Sequence, residues 1–252
     1  MKKIILSMAL VSAMMASLVS CNEKTEQKET TTVEKTEPVT NQRPLRERVL
    51  TAEEQAALTP DGIIDTLKAG NKRFMSNDLT LRDHSTMVRS AAAGQFPKAV
   101  ILSCLDSRIP VEDVFDRGIG DLFVARVAGN ISNVDMLGSM EFGCKVVGAK
   151  VILVLGHESC GAVKGAIDNV QLGNITPMLA RIKPAIERAK TFSGAKTSKD
   201  PGYVEYVAKA NVMTTIEAIK AGSPILKEME DKGEIKIVGA YYNIQTGEVV
   251  FL

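Results

Sequence analysis

Two apolar runs that each break off into metal-seeking side chains restrict this fold more than any other part of the chain. The first, Ile101-Leu102-Ser103, runs into Cys104-Leu105-Asp106-Ser107-Arg108. The second, Val151 to Leu155, runs into Gly156-His157-Glu158-Ser159-Cys160-Gly161. Short apolar runs bounded by turn residues read as buried strands. Alternate side chains of an extended backbone share a side, so Cys104, Asp106 and Arg108 are expected to point one way. His157 and Cys160, three apart, are expected on one side of a helical turn. Open parallel sheets gather ligands at the carboxyl ends of their strands. The expectation is therefore two neighbouring strand ends that share one zinc ion.

The rest of the chain supplies the scaffold for such a sheet. Thr51-Ala52-Glu53-Glu54 has the form of a helix-capping box, and a second helix is expected from Asp61, with Ile63, Ile64, Leu67 and Phe74 on one face. Residues 77–89 read as polar and irregular, with His84 a solvated surface residue without a role. Strands are expected at 98–103, 121–127 and 151–155, alternating with helices at 109–115, 135–147 and 159–169. Helices follow at 175–190 and 202–221, with another short one opening at Ser223-Pro224. A terminal hairpin runs from Ile235 to Tyr242 and from Val249 to Leu252 across Gln245-Thr246-Gly247. Three apolar strands alternating with helices predict an α/β class, a parallel sheet covered by helices on both faces, and the antiparallel hairpin partners make that sheet mixed at one edge.

Composition narrows the chemistry. Apolar residues make up 45% of 252, enough for a core without disulfides, and with no Trp that core must be aliphatic. The formal charge of +1 gives no electrostatic sign of a nucleic-acid partner. Four cysteines spread this widely do not form a disulfide framework. Only two histidines are present, so a tetrahedral site within one subunit must use thiolates. Cys144, beside Phe142 and Val146 on a helix, reads as core.

The N-terminal part is expected to be address and tether. Lys2, Lys3 and the apolar stretch Ile4 to Leu18 make residues 1–20 a signal peptide, too short for a confident membrane span. Leu18-Val19-Ser20-Cys21 resembles a bacterial lipobox, with Cys21 lipidated at the head of the mature chain. Residues 21–50, rich in Glu, Lys, Thr and Gln, are expected to be a disordered tether, and 51–252 the folded domain. The expected location is the bacterial cell envelope, lipid-anchored and facing the periplasm or exterior.

Two thiolates and an imidazole leave a zinc ion one open position, the mark of a catalytic site. Asp106 is the rival for that position, and a bidentate Arg108 is placed to hold it back. Cys104-Leu105-Asp106-Ser107-Arg108 together with His157-Glu158-Ser159-Cys160-Gly161 resembles the two signatures of the beta-class carbonic anhydrases, over residues 55–252. The resemblance implies one zinc per subunit on Cys104, His157 and Cys160, with the Asp106–Arg108 pair as catalytic dyad. It implies carbon dioxide hydration by attack of zinc-bound hydroxide, with bicarbonate and a proton as products. It also implies an α/β fold with a four-stranded parallel core flanked by helices and an antiparallel C-terminal edge strand, and a homodimer or dimer of dimers, with each cleft at the subunit interface. Gln95 matches a glutamine that reaches bicarbonate across that interface. Phe123 and Phe142 match positions lining the carbon dioxide pocket, and Gly161 would offer its backbone near the metal. Some members add a non-catalytic bicarbonate site around a Trp three residues before the first zinc cysteine. Here that position is Ile101, so that site is not expected.

Rival readings share the scaffold or the metal. A carbon disulfide or carbonyl sulfide hydrolase would use the same zinc chemistry in a differently shaped pocket. A non-catalytic zinc protein would have Asp106 closing the coordination sphere, which the presence of Arg108 argues against. A nucleobase deaminase needs a Pro-Cys-x-x-Cys element that the chain lacks.

Overall fold

The computed structural model describes residues 45–46 and 48–252. The expected signal peptide, Cys21 and most of the expected tether lie outside the described residues. Five strands make one sheet: β1 (Ala99–Ser103), β2 (Leu122–Arg126), β3 (Val151–His157), β4 (Lys236–Tyr242) and β5 (Val249–Phe251), in the order β2-β1-β3-β4-β5. The first four are parallel, the core that the resemblance implies, and β5 is antiparallel to β4, as the hairpin pattern predicts.

Every residue of β1 and β3 is buried, which explains their unbroken apolar runs, whereas β2 is half-buried throughout. The two-residue period of a strand then divides the core. Ile101, Leu153 and Leu155 face one layer, and Val100, Leu102, Ile152 and Val154 face the other.

Among the described residues ten α-helices flank the sheet: α1 (Ala52–Ala56), α2 (Pro60–Met75), α3 (His84–Ala91), α4 (Val111–Val114), α5 (Val134–Glu141), α6 (Gly161–Ile167), α7 (Ile175–Ala180), α8 (Lys183–Arg188), α9 (Pro201–Gly222) and α10 (Pro224–Asp231). Thr51 and Glu54 form the expected capping box of α1. The long α9 spans both layers, burying Val204, Val207 and Ala208 in one and Val212, Ile216 and Ile219 in the other.

Several expectations need correction. Residues 84–91 are helical rather than irregular, because the Asp83 carboxylate accepts from the Thr86 N–H at 2.9 Å and caps them. Met87 is the one buried residue of α3, too little for a visible apolar face. The segment 135–147 is not one regular helix. It widens into a π turn over Phe142–Val146, in which Val147 N–H bonds Phe142 O at 3.0 Å. The helix expected over 175–190 breaks into α7 and α8, since Pro184 has no N–H to continue the ladder.

The tether boundary at residue 50 is also too late. Arg46 bonds Asp121 Oδ1 at 2.7 Å, its backbone pairs with the chain around Arg82, and Val49 is buried. Among the described residues no helix is long and apolar enough to cross a membrane.

Candidate metal centre

The chain leaves β2, passes over β1 and joins the sheet again as β3 on the far side. That reversal opens a crevice beyond the carboxyl ends of β1 and β3. Cys104 is the first residue after β1, and His157 is the last residue of β3.

The backbone does not stay extended past Ser103, contrary to expectation. Asp106 turns it: its Oδ1 accepts from the Arg108 N–H at 3.0 Å, and its carbonyl accepts from the Ile109 N–H at 3.3 Å. Fully buried Ile109 anchors the far side of this turn. Cys160 likewise reaches His157 through a tight turn, not a helical one. Ser159 takes a left-handed φ of 55°, and Cys160 is the N-cap of α6.

The turns bring three ligating side chains together. Cys104, His157 and Cys160 are all buried, and their donor atoms lie within 4.8 Å of one another. The two sulfurs are 4.0 Å apart. Tetrahedral coordination with zinc–sulfur bonds of about 2.3 Å places two thiolates about 3.8 Å apart, so the observed spacing fits. His157 Nδ1 lies 2.9 Å from the Glu158 carbonyl and must be the donor there, which leaves Nε2 as the lone-pair nitrogen. That Nε2 is buried and has no hydrogen-bond partner. A buried imidazole nitrogen is costly to leave unmatched unless a cation takes its lone pair.

The sulfurs have unlike proton affinities. A hydrogen bond from Cys160 lowers the Cys104 thiol below the usual thiol range, helped by the Gly129 N–H at 3.3 Å from its Sγ. Cys160 is pushed up, because it shares its proton with Cys104 and is desolvated. A dication between them would remove the repulsion that keeps the second thiol protonated.

Asp106 stands beside this group without belonging to it. Arg108 Nε donates to Oδ1 at 2.9 Å and Nη2 to Oδ2 at 2.7 Å, so both oxygens are engaged. This pairing holds the carboxyl well below the usual carboxylate range. Asp106 Oδ2 is 4.0 Å from His157 Nδ1.

The other residues singled out from the sequence are more dispersed. Phe123 and Phe142 meet edge to face with centroids 6.4 Å apart. They line a cleft of about 800 Å³ with Val100, Met136 and Arg126. Gly161 opens α6, and a side chain there would meet only open space. Gln95 is exposed in the loop before β1. Cys144 is buried in the core, its thiol pushed up to about 12 by desolvation. Exposed His84 lies away from the ligand group.

Four supporting residues were not assigned from the sequence. Arg126 donates from Nε to the Cys104 carbonyl at 2.9 Å and from Nη2 to the Asp106 carbonyl. Gly129 reaches Cys104, and Asn211 reaches Gly129. Glu158 accepts from Ile244 N–H at 3.1 Å and Gln245 Nε2 at 2.7 Å, fastening the His157 loop to the β4–β5 turn. The break at Ala128-Gly129-Asn130 and a lone Asn in an apolar stretch of α9 were the available signals.

Comparison with known proteins agrees with this architecture. Residues 99–249 match the family described as carbonic anhydrase. Carbonic anhydrase 2 of Mycobacterium tuberculosis is 34% identical over 185 residues, covering 73% of this chain and 88% of that protein. The beta-carbonic anhydrase CcaA superposes with a TM-score of 0.62 at 23% identity, covering 76% of this chain and 93% of the other. One of two tetrameric beta-carbonic anhydrases from Sordaria macrospora gives 0.59 at 22%, covering 75% and 93%.

Proposed function

The chain belongs to the carbonic anhydrase family, and on that footing we propose that it hydrates carbon dioxide reversibly with one zinc ion per subunit on Cys104, His157 and Cys160. The observation that carries the metal reading is the buried, unpartnered Nε2 of His157 beside two sulfurs 4.0 Å apart. When bound, zinc supplies a Lewis acid that makes water a competent nucleophile near neutral pH.

The protein's own groups do the rest. Asp106 is ionised, so it can only accept a hydrogen bond from water in the crevice. It thereby fixes one O–H and turns a lone pair toward the substrate carbon. Arg108 keeps both carboxylate oxygens away from the metal position. The Phe123–Phe142 cleft offers an apolar seat for carbon dioxide, which has no charge to recognise. Water adds to the carbon, bicarbonate leaves, and the proton goes to buffer. Gln95 of the second subunit would bind bicarbonate across a homodimer or dimer-of-dimers interface, and the Gly161 backbone would line the open side.

The N-terminal expectations complete the proposal. Cleavage after Ser20 and lipidation of Cys21 would tether the enzyme in the bacterial envelope, facing the periplasm or exterior. Zinc on Cys104 and Cys160 would protect those thiols in an oxidising space.

Stopped-flow carbon dioxide hydration, paired with zinc analysis, tests the reading. The wild type should hold one zinc per chain and turn over, and Cys160→Ser should lose both. A metal-free wild type made with ample zinc, or undiminished turnover in His157→Ala, would overturn it.

A further inference from the structure

Asn211 lies in the middle of α9, only 1% exposed, between Val207, Ala208 and Val212. Its Nδ2 donates to the Gly129 carbonyl at 2.8 Å, while its Oδ1 is buried without a partner. A half-satisfied amide is a poor choice for an apolar helix face, where an aliphatic side chain would pack at less cost. The one bond it makes leads directly to the metal centre. Gly129 has a φ of 77°, and a Cβ there would come within 2.7 Å of Ile182 and 3.2 Å of Ala162. That close fit lets its N–H stand 3.3 Å from Cys104 Sγ. Gly129 is thus held at both ends, its carbonyl by Asn211 and its N–H by the sulfur.

We propose that Asn211 is a positioning residue that, by holding Gly129, aims the Gly129 N–H at Cys104 Sγ and limits the charge this sulfur gives to the metal. The inference rests on the proposed metal site. A thiolate that accepts an N–H bond donates less electron density, and hydrogen bonds to ligating sulfurs are among the levers that tune metal centres. A metal with less donated charge polarises water more strongly. Asn211 does this without touching substrate or metal.

The test uses the full mature protein loaded with cobalt(II), and separately with a spin-active cadmium isotope. In the wild type, NMR should show coupling between the Gly129 amide and cadmium through the hydrogen bond. Asn211→Leu removes the amide at similar volume, and Asn211→Ala serves if the branched side chain does not fit. Each should keep one metal per chain, lose that coupling and move the sulfur-to-cobalt charge-transfer band to longer wavelength. Turnover of the zinc form should fall by about tenfold or more. A wild type with metal bound but no such coupling would overturn the inference whatever the variants do. So would a variant whose coupling and band are unchanged. A wild type that binds no metal would sink the metal site itself and this inference with it.

Discussion

Replacing Asp116 by Asn isolates the charge of one buried carboxylate. Asp116 is inaccessible and takes four donors: Arg73 Nε at 2.6 Å, Thr80 N–H at 3.0 Å, Thr80 Oγ1 at 2.6 Å and Arg82 Nη2. Its φ is 49°, a left-handed value that Asn adopts as readily as Asp, so the backbone should not object. Asn keeps the shape but points an NH2 group at donors and leaves two guanidinium groups uncompensated. Arg82 is only 8% exposed and cannot recover its hydration. Removing one partner of a buried pair costs about 3–5 kcal/mol. At about 2–4 °C per kcal/mol for a domain of this size, the melting temperature should fall by about 6–20 °C. Calorimetry on zinc-loaded protein at matched concentration reads this. Glu217→Gln is the control, because the Arg188–Glu217 pair is comparably close at 2.7 Å but both side chains are about half exposed. A loss in Asp116→Asn no greater than in the control would refute the argument from burial.

Two further outcomes concern Arg108 and the acid limb of Asp116. Arg108→Lys should cut carbon dioxide hydration by about 10–100-fold with zinc retained, because an ammonium cannot hold both Asp106 oxygens; full activity would mean the paired geometry is dispensable. The Asp116 carboxyl is lowered by its partners, Thr80 first, against the opposing and largest effect of desolvation. Its stabilisation is therefore complete above an unfolded-state pKa of about 3.9 and is lost as pH falls through the lower folded value. The gap in urea midpoint between wild type and Asp116→Asn should narrow below about pH 4; a gap that widens on acidification would contradict the sign.

The sheet was legible because its strands obey simple rules. β1 and β3 are apolar at nearly every position, and full burial on both faces is what such runs demand. Cys104 and His157 were placed at strand ends for the same reason. The turns that join them to Asp106 and Cys160 were not legible. One depends on a side chain bonding its own backbone at Arg108, the other on a left-handed Ser159, and neither leaves a periodic trace. Helix α3 was hidden because Met87 alone faces the core. Arg46 was assigned to the tether because composition around it is polar, whereas its partner Asp121 is 75 residues away in sequence. Asn211 and Gly129 were invisible for a similar reason: they meet only after α9 folds over the β2–α5 connection.

The clamp that Glu158 makes with Ile244 and Gln245 has a consequence for biosynthesis. As the polypeptide emerges from the ribosome, Cys104, His157 and Cys160 are all available long before the residues that lock their loop. Asn71 closes the same turn from the opposite direction, bonding the Gly247 carbonyl and the Val249 N–H. A nascent chain halted before Gln245 would carry Cys104, His157 and Cys160 without the bonds that fasten their loop. The proposed zinc would then be gripped tightly only once synthesis has passed the final hairpin.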